Sequence, residues 1–304
     1  MDRRRNHLPI AVAQYPIGEP VTMAEWREKA ASWVADGAAT GGELLVFPEY
    51  GAIEVAATFG PAIASDLQRT LAAVADLADE MDAVYADLAQ RHRVHILAPS
   101  GPVRRASDGR YVNAARLITP SGRMGVQEKL IMTPFERNWG VAPGGALRVF
   151  ETELGRIGIA ICYDSEFPLL VRAQAEAGAE LILIPSCTER LSGAHRIRAG
   201  ACARALESQI ATAVSPTVGE ALWSPAVDVN TGAGGIYVPA EANLSLTGTL
   251  AEGTMNEPGW VSAVIDFRLL AEVRAGGEMR NSADWNLQPG AGSLINMAEV
   301  VSLL

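Results

Sequence analysis

Short apolar runs alternate along this chain with longer amphipathic segments, and few architectures accept that pattern. LPIAVA at 8–13, ELLVFP at 43–48, RVHILAP at 93–99, RIGIAI at 156–161 and LILIP at 181–185 show little polar alternation. Such runs mark strands buried on both faces. Between them, 23–36 places Trp26, Ala30 and Val34 on one helical face, and 66–91, without Pro or Gly, predicts one long helix. Residues 167–177 carry Pro168 near the start and Gly178 just past the end, as a helix should. A further helix is expected at 195–209. Strands are expected at 112–119 and 123–128 around Pro120-Ser121-Gly122, at 147–153, 210–215 and 260–266, and after the Gly-rich stretch 230–235. The order is β-α-β-α-β, a hairpin-rich middle, then β-α-β-α-β. No linker, charge block or internal repeat divides it. One layered α/β domain over residues 1–304 follows, with its core at about 8–267. The segment 268–304, loop-like from Arg280, is a candidate for contact with a partner.

Composition narrows the function. A net charge of −10 on 304 residues excludes a general nucleic-acid binder, which needs a basic face. No apolar run reaches the roughly 18 residues of a membrane span, and the amino-terminal apolar stretch is too short for a signal peptide. A cytoplasmic protein is expected. Cys162, Cys187 and Cys202 cannot all pair within the chain and show no CxxC spacing, so neither a disulfide framework nor a zinc ribbon is expected. Of 25 basic residues only Lys29 and Lys129 are lysine, and Lys29 reads as an ordinary cation.

Ligand sites in open α/β sheets gather beyond the carboxyl ends of strands, and three reactive residues sit there. Glu49 follows ELLVFP, Lys129 follows the strand ending at Glu128, and Cys162 follows RIGIAI. The cysteine enters a short turn before a helix, an arrangement like a nucleophile elbow. Its thiol needs a base or a positive charge to act near neutrality. Taken singly, each residue has a plainer reading: a small buried hydrophobe for Cys162, a solvated carboxylate for Glu49, a surface cation for Lys129. Partial burial behind Phe47-Pro48 raises the Glu49 carboxyl pKa and suits it to carrying a proton.

Together, LLVFPEY, EKLIMTPFE and GIAICYDSEFP resemble the three catalytic blocks of the nitrilase superfamily of carbon–nitrogen hydrolases, in order and with similar spacing, within a likeness spanning about 8–267. PSCT and WSPAVDVN are similar to an amidase-like subgroup, some members of which carry a fused acetyltransferase domain that is not expected in 304 residues. The resemblance implies an α-β-β-α sandwich and a homodimer or larger homo-oligomer, with the segment 268–304 at the subunit interface. It implies Glu49 as general base, Lys129 as electrostatic stabiliser, Cys162 as nucleophile and Glu136 as the partner of Lys129. It also implies a thioester route that cleaves a small carboxamide to a carboxylic acid and ammonia or an amine, without cofactor or metal. Tyr163, through its main chain, and Ser186, Cys187 and Thr188 are the expected substrate-binding residues. Asp164 is expected to shape the turn, and Trp139 and Trp223 to pack or to border the acyl site. A nitrile or N-carbamoyl substrate, or a catalytically silent binding member, are the alternatives. A Cys–His enzyme is disfavoured because His7, His92, His95 and His195 lack a strand-end setting, and His92 with His95 lacks a third metal ligand.

Overall fold

The computed structural model describes residues 6–288 and 298–304. β1 (His7–Pro16), α1 (Met23–Ala39) and β2 (Leu44–Val46) are followed by a 3-10 segment, Gly51–Phe59, and α2 (Pro61–Ala64). Next come α3 (Leu67–Asp76), α4 (Ala78–His92), β3 (His95–Arg104), β4 (Tyr111–Ile118), β5 (Met124–Glu128) and α5 (Pro134–Trp139). β6 (Leu147–Thr152) and β7 (Gly155–Ile159) lead to a 3-10 turn, Cys162–Glu166, then α6 (Pro168–Glu176), β8 (Leu181–Ser186), α7 (Leu191–Ser208) and β9 (Ala211–Glu220). The remaining elements are β10 (Val229–Asn230), β11 (Gly235–Tyr237), β12 (Thr249–Glu252), β13 (Gly259–Asp266), α8 (Phe267–Gly276), α9 (Asn281–Asp284) and β14 (Ala298–Ser302).

The strands form two facing sheets. One runs β13-β1-β2-β3-β4-β5 and the other β14-β6-β7-β8-β9-β11-β12, and a short parallel pairing of Tyr15–Pro16 with Thr217–Val218 joins them. β1 shows how its sequence serves two layers. Ile10 and Val12 point into the core between the sheets with Leu97, Leu117, Val149 and Ile159. Ala11, Ala13 and Tyr15 face the opposite way, against Trp26, Ala30 and Val34 of α1 and Tyr85 and Leu88 of α4. On the second sheet, Val171 and Ala175 of α6 and Ile197, Ala201 and Ala205 of α7 supply the outer layer. The architecture is an α-β-β-α sandwich.

Three expectations need correction. The single helix at 66–91 is two helices meeting at Leu77, whose φ of −96° and ψ of 2° leave the helical region. α3 lies against β3, and α4 packs against both β3 and α1, so the chain turns at Leu77 to reach the second partner. No Pro or Gly marks the bend, so the sequence carried no sign of it. The tail from Arg280 is not loop throughout: Asn281–Asp284 is helical and Ala298–Ser302 pairs in parallel with β6 of its own chain, burying Leu303. Residues 289–297 of that segment lie outside the described residues. Lys29 is no ordinary surface cation, since its ammonium pairs with buried Glu54 and lies 4.3 Å from the centre of the Tyr15 ring.

Gly125 of β5 lies directly against Phe150 of β6. A Cβ added there would sit 2.4 Å from Cδ1 of Phe150, on β6. Gly125→Ala is therefore expected to destabilise the protein by about 1–3 kcal/mol through overpacking. Urea unfolding at unchanged slope measures this, and Phe150→Leu in the same chain should recover part of the loss.

Candidate active site

β2, β5, β7 and β8 all end on the same side of the sandwich, and the residues just beyond them meet there. Glu49 lies after Phe47-Pro48, at the end of β2. Lys129 follows β5 directly, its N–H bonded to the Asn113 carbonyl oxygen at 2.8 Å. Cys162 opens the 3-10 turn after β7 with φ of 48°, left-handed for a non-glycine residue. Such strain persists only where the surroundings fix it, and this is the sharp bend expected at the strand end. Ser165 Oγ ties the turn back to the Cys162 carbonyl at 2.7 Å.

Lys129 Nζ lies 2.7 Å from Glu49 Oε1 and 2.7 Å from Glu136 Oε2, with all three side chains buried. Glu136 sits in the first turn of α5, where Thr133 and Glu136 form a reciprocal cap behind Pro134. Thr133 N–H and Oγ1 both donate to its Oε2 at 2.9 Å, and the Tyr50 hydroxyl donates to Oε1 at 2.8 Å. Asn113 Nδ2 donates to Glu49 Oε1 at 2.9 Å and approaches Glu136 Oε1 at 3.4 Å. The Cys187 N–H serves the other Glu49 oxygen at 3.1 Å.

These contacts divide the protons. Burial pushes the Glu49 carboxyl above its ordinary value and Glu136 adds to the rise, with Lys129 opposing both. Burial acts the same way on Glu136, but Lys129 and the donated hydrogen bonds outweigh it and hold that carboxyl low. Burial alone would lower Lys129, yet the two carboxylates keep it firmly charged. The Cys162 thiol is raised by burial and then by Glu49, against the pull of Lys129. It therefore carries its proton at neutrality, beside a carboxylate that can accept it. Asp164 accepts N–H bonds from Leu130 and Ile131 at 3.1 and 2.8 Å, fastening the cysteine turn to the lysine segment, and burial raises its carboxyl to about 7.

A cavity of about 310 Å³ opens onto this cluster, a volume suited to a small molecule. Glu49, Lys129, Cys162 and Glu136 line it together with Tyr163, Cys187 and Thr188. Trp139 and Phe135 give it an aromatic wall, and Ile197, Ala226 and Val229 an aliphatic one. Ser186 is not brought to it: as the last residue of β8 its hydroxyl turns to the Ser215 carbonyl at 3.5 Å, inside the sheet. Trp223 packs instead with the outer core of the first sheet. Cys187 has its thiol raised to about 12 by burial, which suits a wall better than a second nucleophile. Tyr50, Asn113 and Thr133 belong to the cluster without having been singled out in the sequence. Thr133-Pro134-x-Glu136 was a readable capping box, whereas nothing local marks Asn113. Among the described residues no group of three His, Cys, Asp or Glu side chains could hold a metal ion. No helix among them is long and apolar enough to cross a membrane.

The chain matches the carbon-nitrogen hydrolase family model over residues 9–268. It is 32% identical over 279 residues to the probable hydrolase YhcX of Bacillus subtilis (strain 168), covering 90% of this chain and 53% of that protein. The chain spans about half the length of the curated relatives it matches. Nit3 of Saccharomyces cerevisiae, a member of branch 10 of the nitrilase superfamily, superposes with a TM-score of 0.70 at 18% identity, over 90% of this chain and 96% of that one. An amidase from Nesterenkonia sp. does so with a TM-score of 0.65 at 22% identity, over 90% and 95%. At these identities the structural likeness is one of fold.

Proposed function

The chain belongs to the carbon–nitrogen hydrolase family, whose enzymes act on small amide or nitrile substrates, and from that premise we propose that it hydrolyses a small carboxamide through a thioester on Cys162. The observation that carries this reading is the Lys129 ammonium, held 2.7 Å from both Glu49 and Glu136 on the wall that Cys162 shares. Cys162 Sγ attacks the carboxamide carbon as its proton passes to Glu49. The carbonyl oxygen takes up the charge and is met by Lys129 Nζ and the Tyr163 N–H, which lies at the start of the 3-10 turn. As the C–N bond breaks, Glu49 gives the proton to the departing nitrogen, and ammonia or an amine leaves. Water then loses a proton to Glu49 and attacks the thioester. The carboxylic acid departs and the proton returns to sulfur. Glu136 acts through Lys129, keeping it charged and in place.

A second copy of the chain completes this reading. Leu169 on α6 and Leu206 on α7 are exposed, apolar surface of the kind a homodimer covers. A cytoplasmic setting agrees with three free thiols.

The test is ammonia release from a panel of primary carboxamides, nitriles and N-carbamoyl compounds. Carboxamides are expected to turn over. With a poorly hydrolysed amide, the peptide containing Cys162 is expected to gain the mass of the acyl group. Turnover of nitriles alone would move the reading to a nitrilase. No release from any compound, with no adduct, leaves a silent binding protein.

A further inference from the structure

Asn113 makes or breaks no bond in the cycle above, yet it touches two of the groups that run it. Its side chain is buried on β4, with Nδ2 2.9 Å from Glu49 Oε1 and 3.4 Å from Glu136 Oε1. The orientation of the amide follows from its surroundings. Ser100 Oγ accepts the Tyr50 N–H at 3.1 Å, which leaves its own proton for Asn113 Oδ1 at 2.8 Å. With the oxygen so engaged, the NH2 end faces the carboxylates. The Asn113 carbonyl oxygen also accepts the Lys129 N–H at 2.8 Å, so one residue sets the backbone of the lysine as well as its counter-charges.

The charge balance says why an amide belongs there. Two carboxylates and one ammonium share a buried space, and the usual response to an excess buried negative charge is uptake of a proton. A proton on Glu49 would leave the Cys162 thiol with nowhere to send its own. The groups facing Glu49 are Lys129 beyond β5, Glu136 on α5, Cys162 on the 3-10 turn and Cys187 beyond β8. Tyr50, beside it in sequence, spends its hydroxyl on Glu136. Lys129 is the one cation among these and is shared. Asn113 adds donors to both carboxylates without adding a charge, which neither aspartate nor an apolar side chain can do.

We propose that Asn113 is a positioning residue whose amide, oriented by Ser100, holds Glu49 and Glu136 in their charged forms around Lys129 and so keeps Glu49 ready to accept the Cys162 proton. This rests on the reaction proposed above, and the sign of its pH effect follows. Hydrogen bonds to the charged form oppose the rise that burial imposes on Glu49, so their loss raises that carboxyl further and moves the acid limb of activity to higher pH.

Two readouts test it: kcat and KM for a small primary carboxamide against pH, and the rate of Cys162 alkylation by iodoacetamide against pH, read from the mass of its peptide. Asn113→Ala is expected to lower kcat about 10- to 100-fold with KM within about threefold. In both readouts its acid limb should move up by about one unit. Ser100→Ala, which frees the amide to turn over, should move the limb the same way by less. An acid limb that stays in place in Asn113→Ala overturns the proposal, as does a loss confined to KM. If that variant fails to fold, an unmoved limb in Ser100→Ala overturns it. Should the unaltered enzyme hydrolyse no amide, the proposed reaction fails, while the alkylation limb still decides the part played by Asn113.

Discussion

Cys162→Ala is expected to lower turnover by at least about 10⁴-fold while the protein stays folded. The sulfur is the only heavy atom lost, and it borders the cavity. The thiol is buried 3.8 Å from the Cys187 carbonyl oxygen, and burial, followed by Glu49, raises its titration. Removing it costs little packing, and Glu49 loses only the thiol's hydrogen bond while keeping those from Lys129, Asn113 and the Cys187 N–H. The left-handed backbone at 162 is equally open to alanine, with strain similar to that of cysteine. Ammonia release with a responsive amide measures the loss, and thermal unfolding checks the fold. Residual turnover above about 1% counts against a covalent route. Cys162→Ser should not restore the rate, because a hydroxyl is a far weaker acid than a thiol and Glu49 cannot take its proton as readily.

Lys129→Met is expected to be inactive too, by on the order of 10²–10³ or more for the loss of one oxyanion contact, and here the fold also suffers. Glu49 and Glu136 would be left facing each other without their shared cation, and breaking a buried pair in this way costs about 3–5 kcal/mol. The pH dependence carries the signature. Without the ammonium both carboxyls hold protons above their unfolded values, near 4.3 for a free glutamate. Relative to the unaltered protein, the destabilisation is then smallest in acid and grows as pH rises through neutrality. Urea unfolding at an acidic and a neutral pH measures it, and equal losses at both would mean that Lys129 does not neutralise this pair. Lys129→Arg keeps the charge but spreads it over a broad fork in a space fitted to a point cation between two carboxylates. It should regain stability over the methionine variant and little activity. Near-normal rates would remove Lys129 from the site.

Much of this arrangement was legible because the chemistry sits where strands end. ELLVFP, the run closing at Glu128 and RIGIAI each stop one residue before a reactive side chain, and parallel packing delivers those ends to one side. What escaped notice was set by partners distant in sequence. Asn113 is the third residue of a strand and indistinguishable there from any satisfied core amide; only the 64-residue separation from Glu49, closed by the fold, gives it meaning. Ser186 directly precedes Cys187 and Thr188, but as the last residue of β8 it turns into the sheet, whereas the two residues beyond the strand line the cavity. Leu77 bends a helix that its composition would keep straight, as α4 leaves the line of α3 to pack against α1 as well as β3. Lys29 gains its partner only through the fold, which brings Glu54, in a 3-10 segment that no periodicity announced, beside it.

The antiparallel ladder between β1 and β13 sets His7 opposite Asp266. During synthesis β1 emerges before the other strands of the sandwich and meets β2 early, but its edge toward β13 stays unmatched until nearly the whole sandwich has been made. Contacts of such long range make folding slow, and an open apolar edge is a place for errant pairing. The ribosome-bound chain is thus most vulnerable to association while residues 17–258 are being made, and chaperone demand should fall once residues 259–266 have cleared the exit tunnel.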